Sequence, residues 1–393
     1  MIKQIAILAA SAICLTSAHA LTIDDVLTQV KQNNSQLKAA EARLDAEQKS
    51  LKSSNNLPDP EVDGAYLFGK GPLADKWEIG VSQQIEWPGV YSARSSAADA
   101  FISALQHGYS AEQLEVLAQA RSLCIDIVGY NQLLRFNQSV LDNLNRLFLT
   151  YNKALEHGEV SIIDVNKLKI ERLLMQQKID ETTSLRTAAV AQLQGINGGV
   201  EISGAETLSA YATLPLLSLE QHLAQARTAS PLVAKQNALA TAQSKSVTAA
   251  ARASLPSLSL GYRHVNEMGD HFNGIAIGVS LPVFSNRGKK SAARANAFAA
   301  EMDASLTQNT IESNIISCHR RALALKNQIG VYNSALTSTD NIAVLNKALN
   351  GGEMSLLTYL QELRYFVEAQ AVMLTIENDY NKTLAQLWQY TMP

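Results

Sequence analysis

Two hydrophobic patterns alternate along this chain, and they predict two kinds of structure. Between Leu133 and Leu155, apolar side chains recur every three or four residues and form two neighbouring stripes. Adjacent stripes are typical of a helix packed between two neighbours, as in a coiled-coil wall. An ordinary helical bundle produces the same stripes, so this pattern predicts helix without deciding between the two architectures.

Proline positions extend the helical prediction. Apart from Pro393, every proline lies within 58–88 or 215–282. The proline-free stretches 89–214 and 283–392 are rich in Ala, Leu, Gln, Glu and Lys, so we predict long helices in both. A helix from Gly89 to Glu156 would reach roughly 100 Å at about 1.5 Å per residue, unless Gly108 or Gly129 bends it.

A period of two predicts β-strands at about 57–68, 77–88, 257–266 and 273–284. In the last segment, Ile275, Ile277 and Val279 alternate with small residues. Each segment has roughly the 9–11 residues that a tilted membrane strand needs, and bulky apolar residues on one face are typical of a lipid-facing barrel. A soluble sheet packed on helices would also alternate, but two strand hairpins between long helices favour the membrane interpretation.

The polar positions of the second strand predict a lumen. Glu78, Ser82, Gln84 and Glu86 alternate with apolar side chains, so we expect these four to face the water-filled side. Four strands cannot close a barrel, and open sheet edges are not tolerated in lipid. Several chains must therefore join, and three would supply about twelve strands.

The chain also contains a long internal repeat. Ile79-Gly80-Val81-Ser82 recurs letter for letter at 277–280, and 158–163 is answered by 352–357. Leu57-Pro58 matches Leu255-Pro256, the opening 21–27 matches 217–223, and Cys124 matches Cys318. We predict one fold built from two similar halves, 21–214 and 215–393.

The first twenty residues predict export. A short basic start, an apolar core and Ala18-His19-Ala20 form a signal peptide at 1–20, so the mature chain begins at Leu21. No later apolar run reaches the roughly 18 residues of a membrane-spanning helix. The net charge of −3 gives no electrostatic footprint for nucleic acid. We expect Cys124 and Cys318 to be buried free thiols, although a disulfide is not excluded.

These features together resemble the TolC family of outer-membrane efflux proteins across essentially all of 21–390. The most specific segment runs from Tyr151 to Val165, where Gly158, Asp164 and Val165 match the family's Gly-x-x-x-x-x-Asp-Val turn. A second copy runs from Asn346 to Leu360, with Thr358-Tyr359 in place of Asp-Val. The segments 57–61 and 82–89 look most like the heavy-metal-resistance branch.

The resemblance implies a fold class and a function. The fold is mainly α with a small β contribution: a trimeric α-barrel in the periplasm, continued by a 12-stranded outer-membrane β-barrel with four strands from each chain. Such homotrimers contact outer-membrane lipid and dock on a periplasmic adaptor that serves an inner-membrane pump. Docking at the periplasmic tips would involve Gly158, Ser161, Gly352 and Ser355.

Several site assignments remain open or are rejected. Asp164 either forms an acidic ring that constricts the pore or only supports a helix N-terminus as a capping-box residue. The polar loop residues His264, Glu267, Met268, Asp270 and His271 match no known ligand spacing, so we predict neither a metal site nor a cofactor. No catalytic constellation is present, which argues against an enzyme. We predict a passive export channel for small molecules or metal ions; the alternative is a periplasmic adaptor, which normally has one helical hairpin flanked by β-rich halves.

Overall fold

The structure, a computed structural model, describes residues 21–69, 75–284, 286–336 and 341–392. The predicted signal peptide at 1–20 lies outside the described residues. The first half contains α1 (Ile23–Asn33), α2 (Ser35–Ser53), β1 (Glu61–Leu67), β2 (Lys76–Ile85), α3 (Pro88–Glu156) and α4 (Ile162–Ile196). The second half contains α5 (Leu219–Ala229), α6 (Pro231–Arg252), β3 (Ser257–Glu267), β4 (Asp270–Ser280), α7 (Lys289–Leu336), α8 (Asn341–Asn350) and α9 (Leu356–Trp388).

Helix α3 is the longest element, with 69 residues in one uninterrupted run. Neither Gly108 nor Gly129 breaks it. Trp87 is its N-cap and Pro88 occupies the first turn, where the missing N–H has no helical partner to lose. Strand β2 consequently ends at Ile85, three residues earlier than its predicted limit.

The helix prediction for 89–214 is wrong beyond Ile196. There the chain turns through Asn197-Gly198-Gly199, where Gly198 and Gly199 have φ values of 69° and 82°. Left-handed backbone geometry ends a helix. Residues 197–217 form a connector between the two halves that is non-helical except for a short 3₁₀ turn at Ala205–Thr207.

Three buried clusters hold the long helices together. One joins α1, α3, α4 and the connector, and a second joins α3, α4, α8 and α9 near the hairpin ends. The third joins α5, α6, α7 and α9 in the second half. Helices α3 and α6 pack along each other, as do α6 and α7, so the two halves form one continuous helical layer. Within the described residues, no helix is both long and apolar enough to cross a membrane.

The four strands form a single antiparallel sheet in the order β1-β2-β3-β4. Each half contributes one hairpin, and the β2–β3 pairing joins the two, with Trp77 opposite Asn266 and Ile85 opposite Leu258. Strands β1 and β4 are the edges of this sheet.

Candidate functional site: the sheet and the helix-hairpin tips

One face of the sheet is apolar and exposed. Val62, Val81, Tyr262 and Ile275 stand opposite one another across the four strands. The exposure is extreme for large side chains, reaching 77% at Ile275. Other exposed members of this face are Ile79, Ile85, Leu258, Leu260, Ile277 and Val279. A contiguous apolar surface of this kind marks a region built to contact lipid or protein rather than water.

The opposite face is polar and internally paired. Arg263 on β3 lies 3.0 Å from Asp63 on β1 and 3.5 Å from Glu78 on β2. Asp63 and Arg263 are two strands apart, with Gly80 directly between them in the register. A Cβ atom on Gly80 would lie 2.6 Å from Asp63 Oδ1, so the glycine makes room for the ion pair. The side chains on the two faces of the sheet therefore differ in both size and charge.

Three of the four predicted lumen-facing residues lie on this polar face. Glu78 pairs with Arg263, Ser82 stands opposite Gly261, and Gln84 Nε2 donates to Ser257 Oγ at 2.9 Å. Glu86 follows the end of β2 and accepts two hydrogen bonds from Arg94 in the first turns of α3, at 2.5 and 2.9 Å. It lies at the sheet-to-helix junction rather than in the sheet.

The two helix-hairpin tips share one backbone motif. At the end of α3, Gly158 has φ 74°, its N–H donates to Leu155 O, and Glu159 N–H donates to Ala154 O. After α8, Gly352 has φ 73°. Its N–H donates to Leu349 O, and Glu353 N–H donates to Ala348 O. This is the Schellman arrangement, in which a left-handed residue closes the last helical turn.

A serine begins the following helix at each tip. Ser161 Oγ accepts from Ile163 N at 3.1 Å, and Ser355 Oγ accepts from Thr358 N at 3.1 Å. Exposed apolar side chains follow both serines, with Ile162 and Ile163 at one tip and Leu357 at the other. The tips are thus fixed in backbone conformation and expose apolar side chains beside their turns.

No family model matches the sequence. The cobalt-zinc-cadmium resistance protein CzcC of Cupriavidus metallidurans is 22% identical over 382 residues, which cover 95% of this chain and 88% of CzcC. Among solved structures, the outer membrane protein VceC of Vibrio cholerae superposes with a TM-score of 0.77 at 14% identity, covering 94% of this chain and 95% of VceC. The CmeC outer membrane channel of Campylobacter jejuni gives a TM-score of 0.73 at 16% identity, with 94% and 85% coverage.

The chain has the TolC-like fold. The family resemblance and the fold class predicted from the sequence are confirmed. The structural similarity extends over 94% of this chain and over most of the length of each of these solved proteins.

In this TolC-like chain Asp164 is half-buried at the first tip. Its Oδ1 lies 3.1 Å from Lys167 Nζ on the next turn of α4. The capping box expected from the sequence is not formed, because Ser161 Oγ accepts from Ile163 N and the Asp164 carboxylate turns to Lys167 instead. Burial raises the pKa of Tyr151, and the negative charge of the nearby Asp164 carboxylate raises it further.

The two histidines of the β3–β4 hairpin lie on the apolar side of the sheet. Their rings stack with centroids 5.5 Å apart, His264 bonds Asn273, and His271 bonds Asn266. Glu267 pairs instead with Lys76 at 3.3 Å. No group of three or more potential metal ligands occurs among the residues that the structure describes.

Both cysteines among the described residues are free, but only one matches the predicted burial. Cys124 is buried, and desolvation raises the pKa of its thiol to about 12. Cys318 is half-buried, so the prediction of a second buried thiol is wrong. The pKa of Cys318 is also raised by desolvation. A raised pKa lowers the thiolate fraction of both thiols at neutral pH.

Two polar networks in the TolC-like chain were missed from the sequence. One is the Asp63–Arg263–Glu78 cluster on the sheet. The other is a closed ring near the tips: Asn143 Nδ2 donates to Tyr359 Oη, Tyr359 Oη to Asn346 Oδ1, and Asn346 Nδ2 to Asn143 Oδ1, at 2.7–2.8 Å. The interruption of an apolar helical stripe by Asn143 was the available signal.

Proposed function

We propose that this chain is the outer-membrane channel subunit of a tripartite export system, a passive conduit from the periplasm to the exterior. The observation that carries the proposal is the two-faced sheet. One face exposes large apolar side chains such as Leu258 and Ile277, whereas the opposite face holds the Asp63–Arg263–Glu78 cluster. Lipid on one side and water on the other account for both faces.

The open edges of the sheet support an oligomer. In lipid, unpaired N–H and C=O groups on β1 and β4 would each be costly, because no water is present to bond them. A further copy can supply the missing pairs. Three copies would give about twelve strands, which is wide enough for a water-filled lumen. The 11 residues of β4 would span roughly 25 Å of membrane height at a tilt of about 45°.

The domain assignment follows from the same arrangement. The signal peptide at 1–20 directs export, and 21–214 and 215–393 are two outer-membrane efflux repeats. Each repeat supplies one strand hairpin and one helical hairpin. In the complete barrel Glu78, Ser82 and Gln84 face the lumen, and Glu86 lies where the barrel meets the helical tunnel.

The tips are the proposed docking surface for a periplasmic adaptor, which in turn serves an inner-membrane pump. Gly158 and Gly352 fix the turns, and Ser161 and Ser355 begin the helices that lead away from the tips. Exposed Ile162 and Ile163 provide apolar contact surface beside the first turn. Asp164 forms the acidic constriction, where three copies would favour cations.

The cargo is a small molecule or a metal ion. CzcC, by its name, confers resistance to cobalt, zinc and cadmium. Its 22% identity with this chain supports metal ions as the cargo to test first. Transport through the conduit needs no catalytic residue or cofactor, and we propose that the chain has neither.

Fractionation tests the channel directly. Outer membranes are extracted in detergent and run with and without heating, and we expect a trimer that heat converts to monomer. Recovery of the protein wholly from the soluble periplasmic fraction would overturn the proposal.

A matched pair of substitutions sharpens this test. Ile277→Lys puts a charge on the apolar face, at a cost of about 2–4 kcal/mol near the bilayer midplane, so we expect membrane insertion to fail. Ala276→Lys, one residue away on the polar face, should insert and form trimers. Equal behaviour of the two variants would contradict lipid contact at this face.

Docking is tested by cross-linking in cells from Glu159→Cys and Glu353→Cys, each next to a tip glycine, in a Cys318→Ser background. Buried Cys124 stays in place because its thiol is inaccessible. We expect a covalent adduct with a periplasmic adaptor, identified by mass spectrometry. Glu47→Cys on α2 is the control and should capture none. Failure of both tip variants would exclude docking at the tips while leaving the channel proposal intact.

A further inference from the structure

Two histidines hold the main chain of one residue where the connector enters the second repeat. His222 on α5 is 2% exposed, and its Nε2 accepts from Leu217 N at 3.3 Å. His319 on α7 bonds the carbonyl oxygen of the same residue through Nε2 at 3.0 Å. The two rings lie 6.1 Å apart. Leu217 is thereby fixed at both its N–H and its C=O.

The C-terminal helix completes this arrangement. Trp388 near the end of α9 donates from Nε1 to Pro215 O at 3.0 Å. Its ring lies 5.2 Å from that of His222. Ser218, the residue after Leu217, is the N-cap of α5 and forms a capping box with Gln221. The last residues of the connector therefore hold α5, α7 and α9 in register.

The first repeat shows what these positions need for packing alone. Its α1 also starts with a capping box, from Thr22, so the repeats align here and Val26 corresponds to His222. The matching of Cys124 with Cys318 makes Ile125 the counterpart of His319. Val26 and Ile125 are 0% and 2% exposed in one apolar cluster. Apolar side chains thus suffice in this fold, and the imidazoles add a property that packing does not require.

That property is sensitivity to acid. His222 must carry its ring proton on Nδ1 to accept from Leu217, whereas His319 donates from Nε2 in its neutral or charged form. Protonating His222 would place a second N–H against the Leu217 N–H and abolish the bond. His319 is therefore the tolerant partner, and His222 is the sensitive one.

Among the described residues, the surroundings give His222 no counter-charge. Burial lowers the pKa of His222, and the positive charge of neighbouring His319 lowers it further. On α7, Glu312 already pairs with Arg227 of α5, and on α9 Asp379 pairs with Arg321. In the described part of the chain, no carboxylate accepts a hydrogen bond from either imidazole.

We propose that His222 and His319 form an acid-released clamp, which holds the connector on the second repeat at neutral pH and frees it when His222 gains a proton. Released residues 215–218 no longer hold the start of α5 or the end of α9. Loosening is thus confined to the second repeat, because Val26 and Ile125 do not titrate.

The sign of the pH dependence follows from linkage. In the unfolded or open chain the pKa of His222 is about 6.5, and in the closed state it is lower. The open state therefore binds more protons. The clamp is fully closed above about pH 6.5 and weakens as the pH falls below that value.

Hydrogen–deuterium exchange of the detergent-solubilised oligomer tests the clamp. Exchange of α5 amides is divided by that of α1 amides in the same sample, which cancels the intrinsic pH dependence of exchange. We expect this ratio to rise by up to about tenfold between pH 7.5 and 5.5 in the wild type. In His222→Gln, which keeps an acceptor but cannot gain a proton, the ratio should stay constant within about twofold.

The double variant His222→Val/His319→Ile, which installs the residues of the first repeat, is the second test and should also give a constant ratio. A constant ratio in the wild type would overturn the proposal by itself, even if no variant folded. A rise of the wild-type size that persists in either variant would assign the sensitivity to other groups and overturn the proposal equally.

Discussion

The two repeats share an order of elements but bury their long helices differently. In the first repeat, α3 contributes buried side chains along most of its length, from Val90 to Leu147. In the second, α7 has 48 residues, and only Ile311, Ile315 and Ala322 of those described are buried. The chain therefore covers one of its two long helical walls by itself. The other wall needs a partner.

The exposed surface of α7 indicates that partner. Phe298, Met302 and Leu306 follow each other at four-residue spacing, with exposures of 62%, 49% and 64%. Residues four apart lie on one face of a helix, so these three form a continuous apolar stripe. A second copy of the chain could cover the stripe as it closes the helical tunnel.

The largest predicted effect comes from charging this stripe. Phe298→Glu combined with Leu306→Glu should abolish the heat-modifiable trimer, because each apolar side chain removed from an interface loses about 1.5–3 kcal/mol of burial. Native electrophoresis of detergent extracts measures the loss.

Asn296→Glu is the matched control, since Asn296 is exposed on a different side of α7. Its trimer should persist. If the doubly charged stripe variant also kept its trimer, the second repeat would not use α7 as its contact surface.

We expect an intermediate effect at a core position that is apolar in the first repeat and polar in the second. Tyr359 corresponds to Val165 of the first repeat, and its hydroxyl closes the ring with Asn143 and Asn346. Tyr359→Phe leaves the buried amide of Asn143 and the half-buried amide of Asn346 without that partner, so we expect a loss of about 1–3 kcal/mol in unfolding free energy. Denaturant unfolding measures the loss.

Tyr365→Phe controls for the loss of a hydroxyl, because Tyr365 is 68% exposed. Its unfolding free energy should change by less than about 0.5 kcal/mol. Equal values for the two variants would mean that the buried ring adds no stability beyond packing.

The smallest effect should also be the same in both repeats. Gly158→Ala and Gly352→Ala meet no neighbouring atom within 4 Å, so only the left-handed backbone opposes them. We expect each to lose about 1–2 kcal/mol. Gly195→Ala, inside α4 and equally unobstructed, should instead gain about 0.5–1 kcal/mol. Thermal unfolding of all three variants compares the tips, and a large difference between Gly158→Ala and Gly352→Ala would show that the two turns are not equivalent.

Most local features were predicted from the sequence, but two local details were not. The uninterrupted α3 and the glycine turn at 158 follow from proline-free composition and from one residue type at one position. The absence of proline predicts helix beyond Ile196, but Gly198 and Gly199 end the helix as effectively as a proline would. Assignment of Asp164 to a capping box failed because Lys167 competes for its carboxylate.

The predicted docking and lumen residues remain predictions. Their local geometry is defined, since Ser161 and Ser355 begin helices and Glu78 lies on the polar face of the sheet. Their proposed roles depend on contacts between chains.

The sequence by itself determined the periods of two and of about 3.6 residues and the glycine turn at 158, because each depends on residues close together in the chain. The duplication is also visible in the sequence, as matching segments in its two halves. Only the tertiary structure decided which side chains meet. Asp63 reaches Arg263 because β2 and β3 pair in one register, and His222 meets His319 because α5 packs on α7. Those neighbours are about 200 and 100 residues apart, so long-range packing sets them, and a shift of one residue in the β2–β3 register would move Arg263 away from Asp63.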